Sequence, residues 1–75
     1  MQALVYIHTE PGKALKLLDA VKKVHGVHVA FATTGRFDIV ARVEAADLKA
    51  LGDAIVSKIQ SIPGVRYTET SVIVA

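Results

Sequence analysis

Two short stretches carry residue types suited to holding a small polar ligand. The first is Thr33-Thr34-Gly35-Arg36-Phe37-Asp38. Glycine in a tight turn adopts backbone conformations that other residues resist, and it lets a ligand approach the exposed N–H groups closely. Asp38 follows at once, placed to hold an ammonium or hydroxyl group, while Arg36 or the turn amides suit a carboxylate. A purely structural role competes, because an aspartate beside a turn often does no more than bond the turn's own amides. The second stretch is Tyr67-Thr68-Glu69-Thr70-Ser71, polar residues inside an otherwise good strand. Alternation puts Thr68 and Thr70 on one face and Tyr67, Glu69 and Ser71 on the other. Such hydroxyls suit a pocket that needs a few placed polar groups. They equally suit an edge strand kept polar against aggregation.

Catalysis has less to draw on. Candidate groups are His8, His25, His28 and Asp38. His25-x-x-His28 spans a helix end and a strand start, with Gly26 between them, which disfavours a shared metal. His25 fits the C-terminal end of a helix, where a cation is favoured. His8 and His28 read as ordinary part-exposed positions. No nucleophile, base and orienting group assemble with any specificity. The absence of Cys removes disulfides, thiolate metal sites and cysteine nucleophiles. No catalytic residue, metal or cofactor is therefore assigned.

The elements that must position these residues follow from periodicity. Ala3 to His8 is β-prone and ends at Thr9-Glu10-Pro11-Gly12. Thr9 or Glu10 is the expected cap and Pro11 fits the first turn of a helix running to about Val24. Ala14, Leu17, Leu18, Val21 and Val24 form its apolar stripe, and Gly26 stops it. Val27 to Thr33 reads as a strand with Val27, Val29 and Phe31 on one face, and Phe37 to Val43 as its hairpin partner. Asp47 is placed to cap a second helix with Leu48, Leu51, Ile55, Ile59 and Ile62 as its stripe. Val65 to Val74 is the last strand, with Val65, Tyr67, Glu69, Ser71 and Ile73 on one face.

The order β-α-β-β-α-β is itself a repeat. Val24-x-Gly26-Val27 and Ile62-x-Gly64-Val65 end the two helices alike, 38 residues apart, and Leu17, Leu18 and Val21 match Ile55, Val56 and Ile59 at that offset. Two such halves predict an α+β, ferredoxin-like fold: a four-stranded antiparallel sheet with both helices on one face. Residues 1–75 form a single domain.

Composition adds a demand for a partner. The chain is 52% hydrophobic yet only 75 residues long, and a domain of this size buries only about 60% of the surface its unfolded chain exposes. One sheet face stays bare in this fold, and each large apolar side chain left in water there forfeits roughly 1.5–3 kcal/mol. Sheet-to-sheet packing of two copies answers that, so an obligate homodimer is expected. The net charge is +2, and Lys13, Lys16, Lys22 and Lys23 are interrupted by Asp19, which makes a solvated helix face rather than a nucleic-acid stripe. No apolar run approaches the ~20 residues of a membrane span. Met1 leads straight into the first strand with no signal-peptide pattern, so a cytoplasmic location is expected. An RNA-binding sheet would stack bases on paired aromatics of its central strands, and here Tyr6 stands alone on the first strand.

Taken together, Glu10-Pro11-Gly12-Lys13, the helix ending in Gly26-Val27, Thr34-Gly35-Arg36-Phe37-Asp38 and Pro63-Gly64-Val65-x-x-Thr68-x-Thr70 resemble the effector-binding domain of the Lrp/AsnC family, also called RAM. The resemblance runs over essentially the whole chain. It implies this fold, dimers formed through the sheets, and octamers or similar rings built from them. It also implies an amino-acid ligand in clefts between subunits. Gly35, Arg36, Phe37 and Asp38 would then meet the ligand from the turn, with Thr68 and Thr70 across the pocket on the last strand. Full-length members carry an N-terminal helix-turn-helix that reads DNA, and none precedes Met1 here. The expectation is thus a stand-alone sensor of amino acids, reporting by co-assembly with full-length relatives or through another partner, without touching nucleic acid itself. The alternative is a small dimeric α+β barrel-type enzyme, a reading that rests on fold analogy alone.

Overall fold

The computed structural model describes all 75 residues. Strand β1 (Gln2–Thr9) leads to helix α1 (Ala14–Lys22), and β2 (Val27–Ala32) and β3 (Ile39–Glu44) follow. Next comes one helical stretch, α2, made of an α turn (Leu48–Ala50), a π-helical segment (Leu51–Val56) and a closing α turn (Ser57–Gln60). Strand β4 (Val65–Val72) ends the fold. The sheet order is β2-β3-β1-β4, antiparallel throughout. No helix is long and apolar enough to cross a membrane.

Period-two patterning fixes which face is covered. Ala3, Val5 and Ile7 of β1 and Ile39, Ala41 and Val43 of β3 are fully buried, and they join Leu17, Val21, Leu51, Ile55 and Ile59 of the helices in one core. Both helices therefore lie on the same side of the sheet, as the repeat predicts. Register locks this in, because Val5 opposes Ala41 and Ile7 opposes Ile39, so a slip by one residue would turn every core side chain outward.

The two halves match in detail. Val27 N–H bonds to Val24 O and Val65 N–H to Ile62 O, both at 3.1 Å. Gly26 and Gly64 sit at φ +100° and +101°, a region that favours glycine. Gly26 O accepts from Glu44 N–H at 2.9 Å, and Gly64 O accepts from Glu10 N–H at 2.8 Å. A Cβ on Gly26 would lie 2.6 Å from Ile55 Cδ1, and one on Gly64 would lie 2.9 Å from Leu17 Cδ1. Leu17 and Ile55 are equivalent in the repeat, so each half's turn presses against the other half's helix.

Three local expectations are corrected. First, α1 starts at Ala14 rather than near Pro11, since Gly12 at φ +77° ends a separate turn in which Lys13 N–H bonds to Glu10 O. Neither Thr9 nor Glu10 caps it; Lys13 occupies the cap position with no side-chain bond. Second, β2 does not alternate unbroken from Val27. His28 is an extra, bulged residue, so Val27 opposes Val43 on the helix side while Val29 and Phe31 oppose Arg42 and Val40 on the bare side. The same happens in β4, where Arg66 is the extra residue and Val65 turns inward against the core while Tyr67, Glu69 and Ser71 face out. Third, β3 begins at Ile39 rather than Phe37, because the carbonyls of Phe37 and Asp38 close the turn by accepting from Thr33. Asp47 caps α2 as expected, its carboxylate accepting from Ala50 N–H at 2.8 Å.

Candidate functional site

The turn between β2 and β3 is built around Asp38. Its carboxylate accepts the N–H of Thr9, a buried residue at the end of β1, at 2.8 Å. Thr33 N–H bonds to Asp38 O at 2.8 Å and Thr33 Oγ1 donates to Phe37 O at 3.0 Å, closing the loop. Asp38 thus bonds across 29 residues to another strand rather than to its own turn amides. His8 Nδ1 lies 3.4 Å from the same carboxylate oxygen, and this buried nitrogen makes no hydrogen bond. Gly35, at φ +98°, and Arg36 stand exposed at the tip, with no atom within 4 Å of where a Gly35 Cβ would sit.

Phe37 turns onto the bare face of the sheet. Its ring lies 5.5 Å from that of Tyr6 and 6.1 Å, edge-on, from that of Tyr67, whose ring in turn lies 4.9 Å from His8. This aromatic cluster adjoins the apolar part of the bare face, Leu4, Val40 and Phe31, the last 59% exposed; Arg42, Glu69 and Ser71 stand on the same face.

Thr68 and Thr70 are elsewhere. They oppose Ile7 and Val5, both core residues, so their side chains leave the sheet on the helix side. The turn's end at Ile39 is two strands from Thr68, about 10 Å by strand spacing, and Phe37 packs on the opposite face. Within one chain the structure brings Gly35, Arg36, Phe37 and Asp38 together, and Thr68 with Thr70, but not the two groups with each other. The threonines also differ. Thr68 Oγ1 accepts from Gln60 Nε2 at 2.9 Å, whereas the Thr70 hydroxyl has no intramolecular partner and lines a groove of about 350 Å³ beside α2.

Sequence reasoning weighed His8 as a catalytic candidate and Thr9 as a helix cap without assigning either to this turn, and it missed Gln60. The first two have a usable signal: once Ile7 is placed opposite Ile39, His8 and Asp38 become neighbours. Gln60 had only its position eight residues before Thr68 across the Pro63-Gly64 turn. Among the remaining charges, His28 Nε2 stands 3.4 Å from Glu44 Oε1 on the exposed surface. No three His, Asp or Glu side chains gather as a metal site would require.

Comparison with known proteins places this geometry. Residues 2–75 match the family model described as the Lrp/AsnC ligand binding domain. An uncharacterized HTH-type transcriptional regulator of Pyrococcus abyssi is 35% identical over 71 residues, covering 95% of this chain and 45% of the relative. A second such regulator, of Pyrococcus horikoshii, is 32% identical over 71 residues, again 95% of this chain and 45% of the relative. The chain thus spans about half the length of the curated relatives it matches. A solved protein of Thermus thermophilus superposes with TM-score 0.89 at 30% identity, covering 99% of this chain and 92% of that one. A transcriptional regulator of Neisseria meningitidis, solved as a complex with L-methionine, shares the fold with TM-score 0.84 at 24% identity, over 99% of this chain and 49% of that one. Together with the βαββαβ topology and the placement of the turn, these matches establish that the chain belongs to the Lrp/AsnC family, as its ligand-binding domain.

Proposed function

We propose that this domain binds a free amino acid as an effector, at a site completed by more than one copy, and serves as a regulatory module rather than as a catalyst. The observation that carries the reading is the split of the candidate residues. Asp38, Arg36 and the turn amides suit the ammonium and carboxylate of an α-amino acid, yet Thr68 and Thr70 leave the other face of the sheet. A ligand the size of an amino acid meets both sets only where two copies adjoin.

The bare face supplies a reason for copies to adjoin. Leu4, Tyr6 and Val40 remain part-exposed, and Phe31 and Tyr67 more so; covering such side chains gains roughly 1.5–3 kcal/mol for each large one. Sheet-to-sheet dimers answer that, and the family resemblance extends the reading to larger rings made from them. The methionine complex of the Neisseria regulator supports an amino-acid ligand for the shared fold, and the relatives' designation as transcriptional regulators supports a regulatory output. That output would run through association with DNA-binding relatives or another protein partner, in the cytoplasm.

Isothermal titration against each of the twenty amino acids tests the ligand, and sedimentation with and without it tests the shared site. At least one amino acid should bind and shift the assembly or its melting temperature. Silence from all twenty at millimolar concentration would refute the ligand. A stable folded monomer at micromolar concentration would refute the shared site.

A further inference from the structure

The groove beside Thr70 has a composition that the fold does not explain. Its lining is Leu48, Leu51, Gly52, Val56, Thr70 and Val72, bordering an open depression of about 350 Å³, and none of the six is ionisable. The charged residues of the same helical stretch, Lys49, Asp53 and Lys58, do not line it, and the first two bond to each other at 2.7 Å in solvent. Leu48 is 64% exposed although the core is complete without it.

Gly52 is the informative position. Its φ is negative and no atom lies within 4 Å of where its Cβ would sit, so neither backbone conformation nor close packing calls for glycine. Glycine is among the poorest residues for a helix interior. At the repeat's offset of 38 residues the first half has Ala14 in this place, and Ala14 packs against the core within α1. The architecture therefore accepts a methyl group where α2 has none. Gly52 also opens the π turn, since Ser57 N–H bonds to Gly52 O five residues back. Such wide turns occur mostly as single departures inside helices, frequently at functional sites. A local rule broken without a packing reason points the same way.

We propose that this groove is the side-chain subsite of the effector site, with Gly52 setting its depth and Thr70 at its mouth, and that it selects amino acids with aliphatic or thioether side chains. This rests on the amino-acid reading given above. The α-ammonium and carboxylate stay outside, within reach of the unpaired Thr70 hydroxyl and of a neighbouring copy's Asp38 turn. A charged side chain finds no counter-ion in the groove, and burying an unpaired charge is strongly unfavourable. A small hydroxylated side chain leaves the leucines and valines uncovered.

The test is titration of the assembled protein with leucine, isoleucine, methionine, serine, aspartate and lysine, for the natural chain and for Gly52→Ala and Gly52→Leu. Leucine, isoleucine or methionine should bind at least about tenfold tighter than the other three, the discrimination an apolar pocket gives for a methylene or more. Gly52→Ala should raise the melting temperature, through better helix propensity, while weakening the preferred ligand severalfold. Gly52→Leu should abolish its binding with the fold and assembly intact. Preference for serine, aspartate or lysine overturns the groove but leaves the amino-acid reading standing. Unchanged leucine binding by Gly52→Leu does the same. If Gly52→Leu breaks the assembly with no amino acid present, the groove holds part of a second copy and the proposal fails. If none of the six binds, this proposal falls, and the other fourteen amino acids then decide the broader reading.

Discussion

Gly26→Ala isolates the contact between one half's turn and the other half's helix. Two terms add up at this position. An L-residue held in left-handed backbone costs about 1–2 kcal/mol, and Gly26 is at φ +100°. The new methyl would then stand 2.6 Å from Ile55 Cδ1, 3.0 Å from Ile55 Cγ1 and 3.2 Å from Glu44 O. Ile55 is 3% exposed and has little room to retreat, so overpacking adds roughly 1–3 kcal/mol. The sum is about 2–5 kcal/mol, a large share of the roughly 4–11 kcal/mol expected for a domain of this length. Gly35→Ala is the control, because φ is +98° there too but no atom lies within 4 Å of the added methyl. Any gain from restricting the unfolded chain is common to both and cancels in their difference. Thermal melts at one fixed protomer concentration should place Gly26→Ala about 4–24 °C below Gly35→Ala, at roughly 4–8 °C per kcal/mol. Adding Ile55→Val removes the Cδ1 carbon that is struck first, so the double variant should recover part of the loss. Equal melting temperatures for the two alanine variants would refute the contact, and failure of Ile55→Val to rescue would move the clash from Ile55 Cδ1 to Ile55 Cγ1 and Glu44 O.

Three further outcomes follow. Asp38→Ala leaves the N–H of buried Thr9 without its acceptor, so chemical denaturation should show a loss of about 1–3 kcal/mol in ligand-free protein, together with loss of amino-acid binding by calorimetry. Asp47→Ala removes the cap on Ala50 N–H and should lower stability by about 1 kcal/mol without altering ligand affinity. Val40→Lys puts a charge in the middle of the bare face, opposite Tyr6 and Phe31. Sedimentation should then show dissociation toward monomers, and an unchanged assembly would place the interface elsewhere.

The fold was legible because two simple periods and one repeat agreed. Val5 and Ile7 alternate, Leu17 and Val21 recur at helical spacing, and the paired Gly-Val turns mark both helix ends. The bulges at His28 and Arg66 were not legible, since an extra residue in a strand leaves composition unchanged and only shifts which side chains share a face. The start of α1 was misplaced for a comparable reason: Pro11 suits a helix, but Gly12 adopts a backbone angle that no helix contains. At the site, the turn was recognisable from Gly35 and Asp38, whereas the acceptor role of Asp38 toward Thr9 depends on pairing across 29 residues. The difference between Thr68 and Thr70 depends on Gln60 reaching one of them. The groove at Gly52 arises from a π turn that propensity alone does not forecast.

The two bulges have a consequence for growth. They fall on β2 and β4, the outer strands of the sheet, where unpaired N–H and C=O groups offer a template to any other chain. A bulge twists such an edge away from regular pairing. Beyond its bulge β2 continues only to Ala32, and β4 continues through Thr68, Glu69, Thr70 and Ser71, polar side chains of the kind that blunt edges. Strand-by-strand extension, the route to open-ended fibres, is thus disfavoured at both margins of a chain that is 52% hydrophobic. Copies are left to meet through faces and grooves, contacts that can close on themselves, so the assembly has a size at which it stops.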